Sequence, residues 1–223
     1  MHHILKKPPT IISIDGAAAT GKSSTAKALS KELKFLHIDT GAHFRILCFH
    51  LLAKGIDPTN NVALKEGLDS FSAGSEIKGI SAILTINQQT LDDSLLRTPE
   101  INNAVSKFAV AAPVRDFLLK YQRSLAVFTQ NHHFDGMVVE GRDIGSVVFP
   151  KAYLKIFLHA DEATRISRRE TDGQVDPIIQ RDVLDSTRKL APLTCPEDAL
   201  RINTSMHSLK EVVALLKERA ENL

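Results

Sequence analysis

The sequence predicts an α/β fold, a parallel β-sheet covered by helices on both faces. Three observations predict it. Short apolar, β-branched runs alternate with stretches of helical periodicity along the 223 residues. A glycine- and lysine-bearing loop, Gly16 to Ser24, joins the first apolar run to the first helical stretch. Hydrophobic residues make up 43% of the chain, enough to build the core of one sizeable domain or of a domain with an insertion.

The loop reads GAAATGKSS and fits G-x-x-x-x-G-K-[ST]. Thr10 to Asp15 before it reads as a buried strand. Ser24 to Leu33 after it carries Ala26, Leu29 and Leu33 at helical spacing. This is the geometry a phosphate cradle needs: loop and helix-start N–H groups point at the anion, and the helix dipole favours negative charge. Lys22 can reach the β- and γ-phosphates, and the Ser23 hydroxyl can ligate Mg²⁺. Ala17, Ala18 and Ala19 stand where such loops commonly carry another glycine, and alanine enters left-handed backbone less readily. The loop is expected to form, more stiffly.

Further along, Phe35 to Ile38 reads as a second strand, ending in Asp39-Thr40-Gly41, with a helix from about 42 to 54 behind it. Arg45 falls in that helix's first turn, where a cation suits either an anionic partner or plain solvent. A short helix is expected over 62–71. Residues 72–97 alternate Ile77, Ile80, Ile83 and Ile86 with small or polar residues, and Asn87-Gln88-Gln89 reads as a turn; a small inserted antiparallel hairpin or meander is expected. Thr98-Pro99-Glu100 is a helix start for the segment bearing Ser106. A second start at Ala112-Pro113 opens a helix over about 114–129, with Arg115 in its first turn. Met137 to Glu140 is the third strand, and Gly141-Arg142-Asp143 lies at its carboxyl end, where open α/β sheets bind ligands. A local Arg142–Asp143 ion pair in a tight turn is the simpler account of that dipeptide. Tyr153 to Leu158 and Ala199 to Ile202 supply the fourth and fifth strands. Between them lie a helix bearing Arg165, Arg168 and Arg169, and another over about 177–189. The latter places Arg181, Asp185 and Arg188 on one face, as a surface salt-bridge ladder or as a basic binding face. Ser208 to Glu211 is a capping box for the last helix.

Composition narrows the function. A net charge of +2 is too weak to argue for nucleic acid. Two cysteines, Cys48 and Cys195, make no disulfide framework. The start has no secretory apolar run, and no stretch approaches the ~18 apolar residues of a membrane span; a soluble, cytoplasmic monomer is expected. Arg45, Arg115, Arg142, Arg181 and Arg188 are spread over separate segments. Guanidinium suits phosphate by its donor fork and permanent charge, so a second phosphate-bearing molecule is expected opposite the nucleotide. The residues beside the loop suggest no general base. A phosphate monoester acceptor needs none, because its second pKa is about 6 and the attacking oxygen is largely anionic at neutral pH.

Five segments together resemble bacterial cytidylate kinases, in the nucleoside monophosphate kinase superfamily: IDGAAATGKSS, DTGAHFR, LRTPEINNAVSKFAVAAPVR, EGRDIGSVVFP and RDVLDSTRKLAPL. The likeness runs from about residue 10 to 220. It implies the P-loop kinase fold: a five-stranded parallel sheet, an inserted monophosphate-binding segment with a small antiparallel sheet, and a short lid. The core would take about 10–40, 113–168 and 190–223, the insertion about 41–112 and the lid about 169–189. It implies transfer of a phosphoryl group from ATP, with Mg²⁺, to CMP or dCMP. Gly16, Ala17, Ala18, Ala19, Thr20, Gly21, Lys22, Ser23 and Ser24 would hold the donor, with Arg168 near it and Ser23 on the metal. Thr40, Phe44 and Arg45 would contact the acceptor. Ser106, Arg115 and Asp143 would read cytosine, and Arg181 and Asp185 would lie near the sugar. Arg142 and Arg188 would bind phosphate and, with Lys22, carry the catalysis. Thr40 replaces the family's usual serine and Phe44 its usual tyrosine, and the lid is shorter than in most members.

Two rivals stand beside this reading. One is a kinase of the same fold acting on UMP, AMP or another small molecule. The other is a catalytically weak nucleotide-binding switch, for which the chain offers neither an N-K-x-D segment nor a D-x-x-G segment after a strand.

Overall fold

Successive residues of β-strands face opposite sides of a sheet, so a strand buried on both faces needs apolar residues throughout. The computed structural model, which describes residues 8–171 and 178–222, places such strands at the centre. The chain runs β1 (Thr10–Gly16), α1 (Lys22–Leu33), β2 (Leu36–Asp39), α2 (Thr40–Ala53), α3 (Asn61–Asp69), β3 (Ala73–Lys78), β4 (Ser81–Ile86), α4 (Pro99–Ala109), α5 (Ala112–Asn131), β5 (Gly136–Gly141), β6 (Leu154–His159), α6 (Glu162–Thr171), α7 (Ile178–Thr187), β7 (Leu200–Asn203) and α8 (Leu209–Glu221). A single 3-10 turn covers Leu95–Arg97, and a π-type turn covers Ile144–Val148.

The sheet order is β3-β4-β2-β5-β1-β6-β7. Adjacent residues of β5 show its two covered faces. Val138 packs with Ile12, Ile14, Ala26, Leu29, Val212 and Leu216, under α1 and α8. Met137 and Val139 pack with Leu47, Leu51, Phe108 and Leu118, under α2, α4 and α5. The five expected strands are all present and mutually parallel. The inserted antiparallel hairpin is present as β3 and β4. β3 and β4 are antiparallel, but they form no separate sheet: β4 lies parallel to β2 through the pair His37↔Ser81, giving seven strands in one mixed sheet. The hairpin turns at Gly79, whose φ of 62° favours glycine, and the expected turn at Asn87-Gln88 forms just after β4, where Ile86 and Gln89 pair antiparallel.

Helix starts follow the sequence signals. Thr98 caps α4 by accepting from the Ile101 N–H, with Pro99 behind it. Ser208 and Glu211 complete both halves of a capping box on α8. The Asp39 carboxylate caps α2 through the Ala42 N–H. The stretch 172–177 and the side chains of residues 178–181 lie outside the described residues. Six residues of the expected lid, 172–177, therefore go undescribed, and so does the Arg181 side chain. The carboxyl ends of β1, β2 and β5 converge at Gly16, Asp39 and Glu140, and the site is built there.

Candidate active site

Gly16 ends β1 with φ 151°, and a Cβ there would sit 2.2 Å from the Leu158 carbonyl oxygen of β6. Only glycine lets β6 pair at this point and the loop leave the sheet. Ala19 takes φ 57°, so one of the three alanines does adopt the left-handed conformation, at a cost of about 1 kcal/mol. Thr20 braces the loop by donating to the Ala17 carbonyl at 3.0 Å. The Lys22 ammonium donates to the same carbonyl at 2.5 Å. Burial, and then the Arg142 guanidinium, lower the Lys22 pKa, while Glu140 and Asp15 favour its charged form.

Arg168 clasps the loop from outside. It donates to the Thr204 side chain at 3.0 Å and the Thr204 carbonyl at 2.8 Å, and Thr204 in turn donates to the Thr20 carbonyl at 3.0 Å. Arg165 bonds the Ala18 carbonyl and pairs with Asp182, whose carboxylate also accepts from the Ala18 N–H at 3.1 Å.

The sequence signals single out neither Asp15 nor Glu140, yet both sit at the heart of the site. Asp15 is buried and accepts the N–H groups of Ile144 at 2.8 Å and Gly145 at 2.7 Å. Burial pushes its pKa up to about 6 against the pull of those two N–H groups. It therefore ties the turn after β5 to β1. Glu140 accepts the Ser23 hydroxyl at 2.7 Å, and Thr40 donates to the Glu140 carbonyl at 2.7 Å. Burial, then the charge on Asp39, raise the Glu140 pKa. The signal that could have found these two carboxylates is their position: each ends an otherwise apolar central strand, and an unpaired charge would not be tolerated there.

Ser23 and Glu140 supply adjacent hard oxygens facing the cavity. Among the described residues no cluster of three or more Asp, Glu, His or Cys side chains could hold a metal by itself. Mg²⁺ requires no such cluster, because it takes one or two protein oxygens and completes its shell from phosphates and water. The pair fits that cation.

Opposite the loop, five side chains alternate in sign. Arg142 Nε lies 2.9 Å from Asp185, and Asp185 lies 3.5 Å from Arg188. Arg188 lies 3.2 Å from Asp143, and Asp143 lies 2.5 Å from Arg115. Arg142 and Asp143 thus face different partners, and the local pair suggested by their adjacency does not form. Asp185 and Arg188 turn inward, Arg188 being buried, so the surface-ladder account of that helix fails for these two. Burial, then the Arg115 charge, lower the Arg188 pKa. The Arg115 guanidinium lies over the Phe44 ring, 5.6 Å from its centroid. Arg45 donates to the Leu96 carbonyl at 2.8 Å and to Asn102 at 2.6 Å.

A cavity of about 860 Å³ spans the two ends. It is lined by Ala18, Ala19, Gly21, Lys22, Ser23 and Ser24 on one side and by Thr40, Phe44, Arg45, Ser106, Arg142, Asp143, Asp185 and Arg188 on the other, with Arg168 between. Gly16, Ala17 and Thr20 shape the loop without lining the cavity. Arg115 borders a neighbouring cavity of about 170 Å³, which shares Thr40, Phe44 and Asp143 with the larger one.

A phosphate loop on a doubly covered, mostly parallel sheet makes this chain a P-loop nucleotide-binding protein. The family model "Cytidylate kinase" matches residues 12–222. A cytidylate kinase of Streptomyces avermitilis is 36% identical over 92% of this chain and 90% of its own. One of Pediococcus pentosaceus is 37% identical over 95% of each chain. One of Chloroherpeton thalassium is 36% identical over 96% of this chain and 94% of its own. The chain belongs to the cytidylate kinase family, and its chemistry is phosphoryl transfer to a nucleoside monophosphate.

Proposed function

We propose that the chain transfers the γ-phosphoryl group of ATP, with Mg²⁺, to CMP or dCMP, giving ADP and CDP or dCDP, and that it does so as a cytoplasmic monomer. The observation that supports the acceptor assignment is the alternating array Arg115–Asp143–Arg188–Asp185–Arg142, set across one cavity from the phosphate loop. The residues 41–112 form the monophosphate-binding portion of this reading.

The loop N–H groups and Lys22 hold the donor phosphates. Ser106, Arg115 and Asp143 read the base: a carboxylate accepts from the exocyclic amino group of cytosine, and hydroxyl and guanidinium donate to ring acceptors. Thr40, Phe44 and Arg45 shape the acceptor pocket, and Arg181 and Asp185 serve its sugar. An anionic acceptor oxygen attacks the γ-phosphorus as the bond to the β-phosphate oxygen breaks, and ADP leaves with that electron pair. Arg142, Arg188 and Lys22 offset the repulsion between the two phosphates and the charge on the transferring group. Mg²⁺, held by Ser23 and Glu140, supplies further neutralisation of donor phosphate charge when bound. No side chain has to take a proton from the acceptor.

The test is a coupled ADP-release assay with ATP, Mg²⁺ and each of CMP, dCMP, UMP, AMP and GMP. Turnover led by CMP and dCMP is expected. Turnover led by UMP or AMP would overturn the base assignment. Absence of turnover with every monophosphate, with ATP still bound, would overturn the enzymatic reading.

A further inference from the structure

His37 is a buried histidine in line with the phosphate loop. The pairs His37↔Val138 and Asp39↔Glu140 place His37 diagonally across from Glu140, on the sheet face that α1 covers. Its Nε2 lies 3.1 Å from Glu140 Oε1, while Glu140 Oε2 accepts the Ser23 hydroxyl. On the ring's far side, Nδ1 lies 2.9 Å from the Ser81 hydroxyl. His37 is 7% exposed and Glu140 3%. The four side chains therefore form one line, Ser81–His37–Glu140–Ser23, from the inserted hairpin to the start of α1.

The direction of each hydrogen bond follows from chemistry. A carboxylate accepts, so Nε2 carries the hydrogen towards Glu140. A neutral ring then offers Nδ1 as an acceptor, and the Ser81 hydroxyl donates to it. The carboxylate thus fixes the tautomer, and Ser81 holds the ring's other nitrogen. Ser81 is also the residue through which β4 pairs with β2, and the His37 N–H donates to the Ile80 carbonyl at 2.7 Å. Docking of the hairpin and setting of the imidazole occur at one point.

A glutamate has three rotatable side-chain bonds, and one hydrogen bond from Ser23 would leave the plane of its carboxylate free to turn. With the second oxygen held by His37, both lone-pair directions towards the cavity are set. We infer that His37 is a positioning residue: it orients the Glu140 carboxylate, and through it the Ser23 hydroxyl, while Ser81 of the hairpin anchors the imidazole ring that does this. The inference rests on the reading of Ser23 and Glu140 as the pair that holds Mg²⁺ with the donor nucleotide. It connects that site to a hairpin none of whose residues lines the nucleotide cavity.

The test is ATP binding to the full chain by calorimetry, in EDTA and in Mg²⁺, so that the metal-dependent gain in affinity is read without turnover. His37→Phe keeps a ring in the site and removes both hydrogen bonds. It is expected to reduce that gain about tenfold, in line with the loss of outer partners at metal sites, with affinity in EDTA little changed. His37→Gln keeps an N–H at the reach of Nε2 and is expected to restore most of the gain, which a purely space-filling role would not allow. Ser81→Ala leaves ring and core in place and is expected to give a smaller loss of the same sign. Full retention of the gain in His37→Phe, or failure of His37→Gln to restore it, overturns the inference. Should His37→Phe not fold, an unchanged gain in Ser81→Ala overturns it. Glu140→Gln separates the two levels: if it leaves the gain intact, the metal reading fails and the inference falls with it. If it abolishes the gain while His37→Phe does not, only the positioning role fails.

Discussion

In the proposed reading, the two ends of the cavity recognise phosphate by different means. At the donor end the groups are mostly backbone N–H donors of one continuous loop, shaped by Gly16, Ala19 and the helix start. At the acceptor end they are side-chain charges brought from α5, the turn after β5, and α7 with the residue that follows it, and they hold one another in place. A backbone cradle carries partial charges that need no counterion. A cluster of guanidinium groups needs carboxylates among them, or burial would disfavour it. The donor end should therefore lose rate when altered, whereas the acceptor end should lose stability and selectivity together.

The largest expected effect tests the first half of that statement. Lys22→Ala should lower kcat roughly 10²–10³-fold, the scale for removing one preorganised electrostatic group. Its melting temperature should hold, because burial already disfavours the charged lysine. A large loss of thermal stability would break the contrast. Asp143→Ala tests the second half. It removes the carboxylate between Arg115 and Arg188 and should cost roughly 3–5 kcal/mol in urea unfolding, as breaking a buried pair does. The CMP-to-UMP preference should shrink in the same variant, with ATP affinity retained.

A third measurement concerns the helix that carries Phe44 and Arg45 to the acceptor end. His43 is buried, packs edge-on to Tyr121, and has no hydrogen-bond partner for either ring nitrogen. Burial lowers its pKa from 6.5 to about 4. As pH falls through that window the unfolded chain binds the proton first. Its contribution to stability is thus full above about pH 6.5 and is lost towards pH 4, by roughly 3 kcal/mol. Asp15 acts in the opposite sense, since its raised pKa favours the native state as pH falls from about 6 towards 4. The readout is therefore the difference in unfolding free energy between wild type and His43→Phe across pH 4 to 7. That difference should carry the His43 slope, and a flat difference would remove the assigned cause. The smallest effect belongs to the loop. Ala19→Gly should raise stability by about 0.5 kcal/mol, the left-handed strain of alanine less the added freedom of the unfolded chain. ATP affinity should be nearly unchanged.

Much of this was legible in the sequence because it is local. The phosphate loop is one run of residues whose flanks announce a strand and a helix, and the helix starts at Thr98 and Ser208 carry their own caps. The five parallel strands follow from their apolar runs. The acceptor arginines were identifiable as residues, but their pairing was not. Arg142 and Asp143 are neighbours in sequence, yet the turn held by Asp15 points them at different partners. Asp15, His37 and Glu140 escaped notice because a buried polar residue in a strand gains its meaning only from the strands and helices beside it. The hairpin itself was legible, but its docking was not: alternation predicts strands, but nothing local says that β4 will find β2 through a single residue pair.

That junction also bears on what the molecule does in a crowded solution. A parallel sheet leaves open rows of amide and carbonyl groups at its two outer strands, and such rows recruit other chains. Here the row beside β2 is covered by the hairpin, and the new outermost strand, β3, is six residues long and places the charges of Glu76 and Lys78 along its length. At the opposite border β7 has four residues and carries Arg201. Both margins are short and charged, so the most apolar strands of the protein meet only their own neighbours, and the cavity stays open without presenting a seam for aggregation.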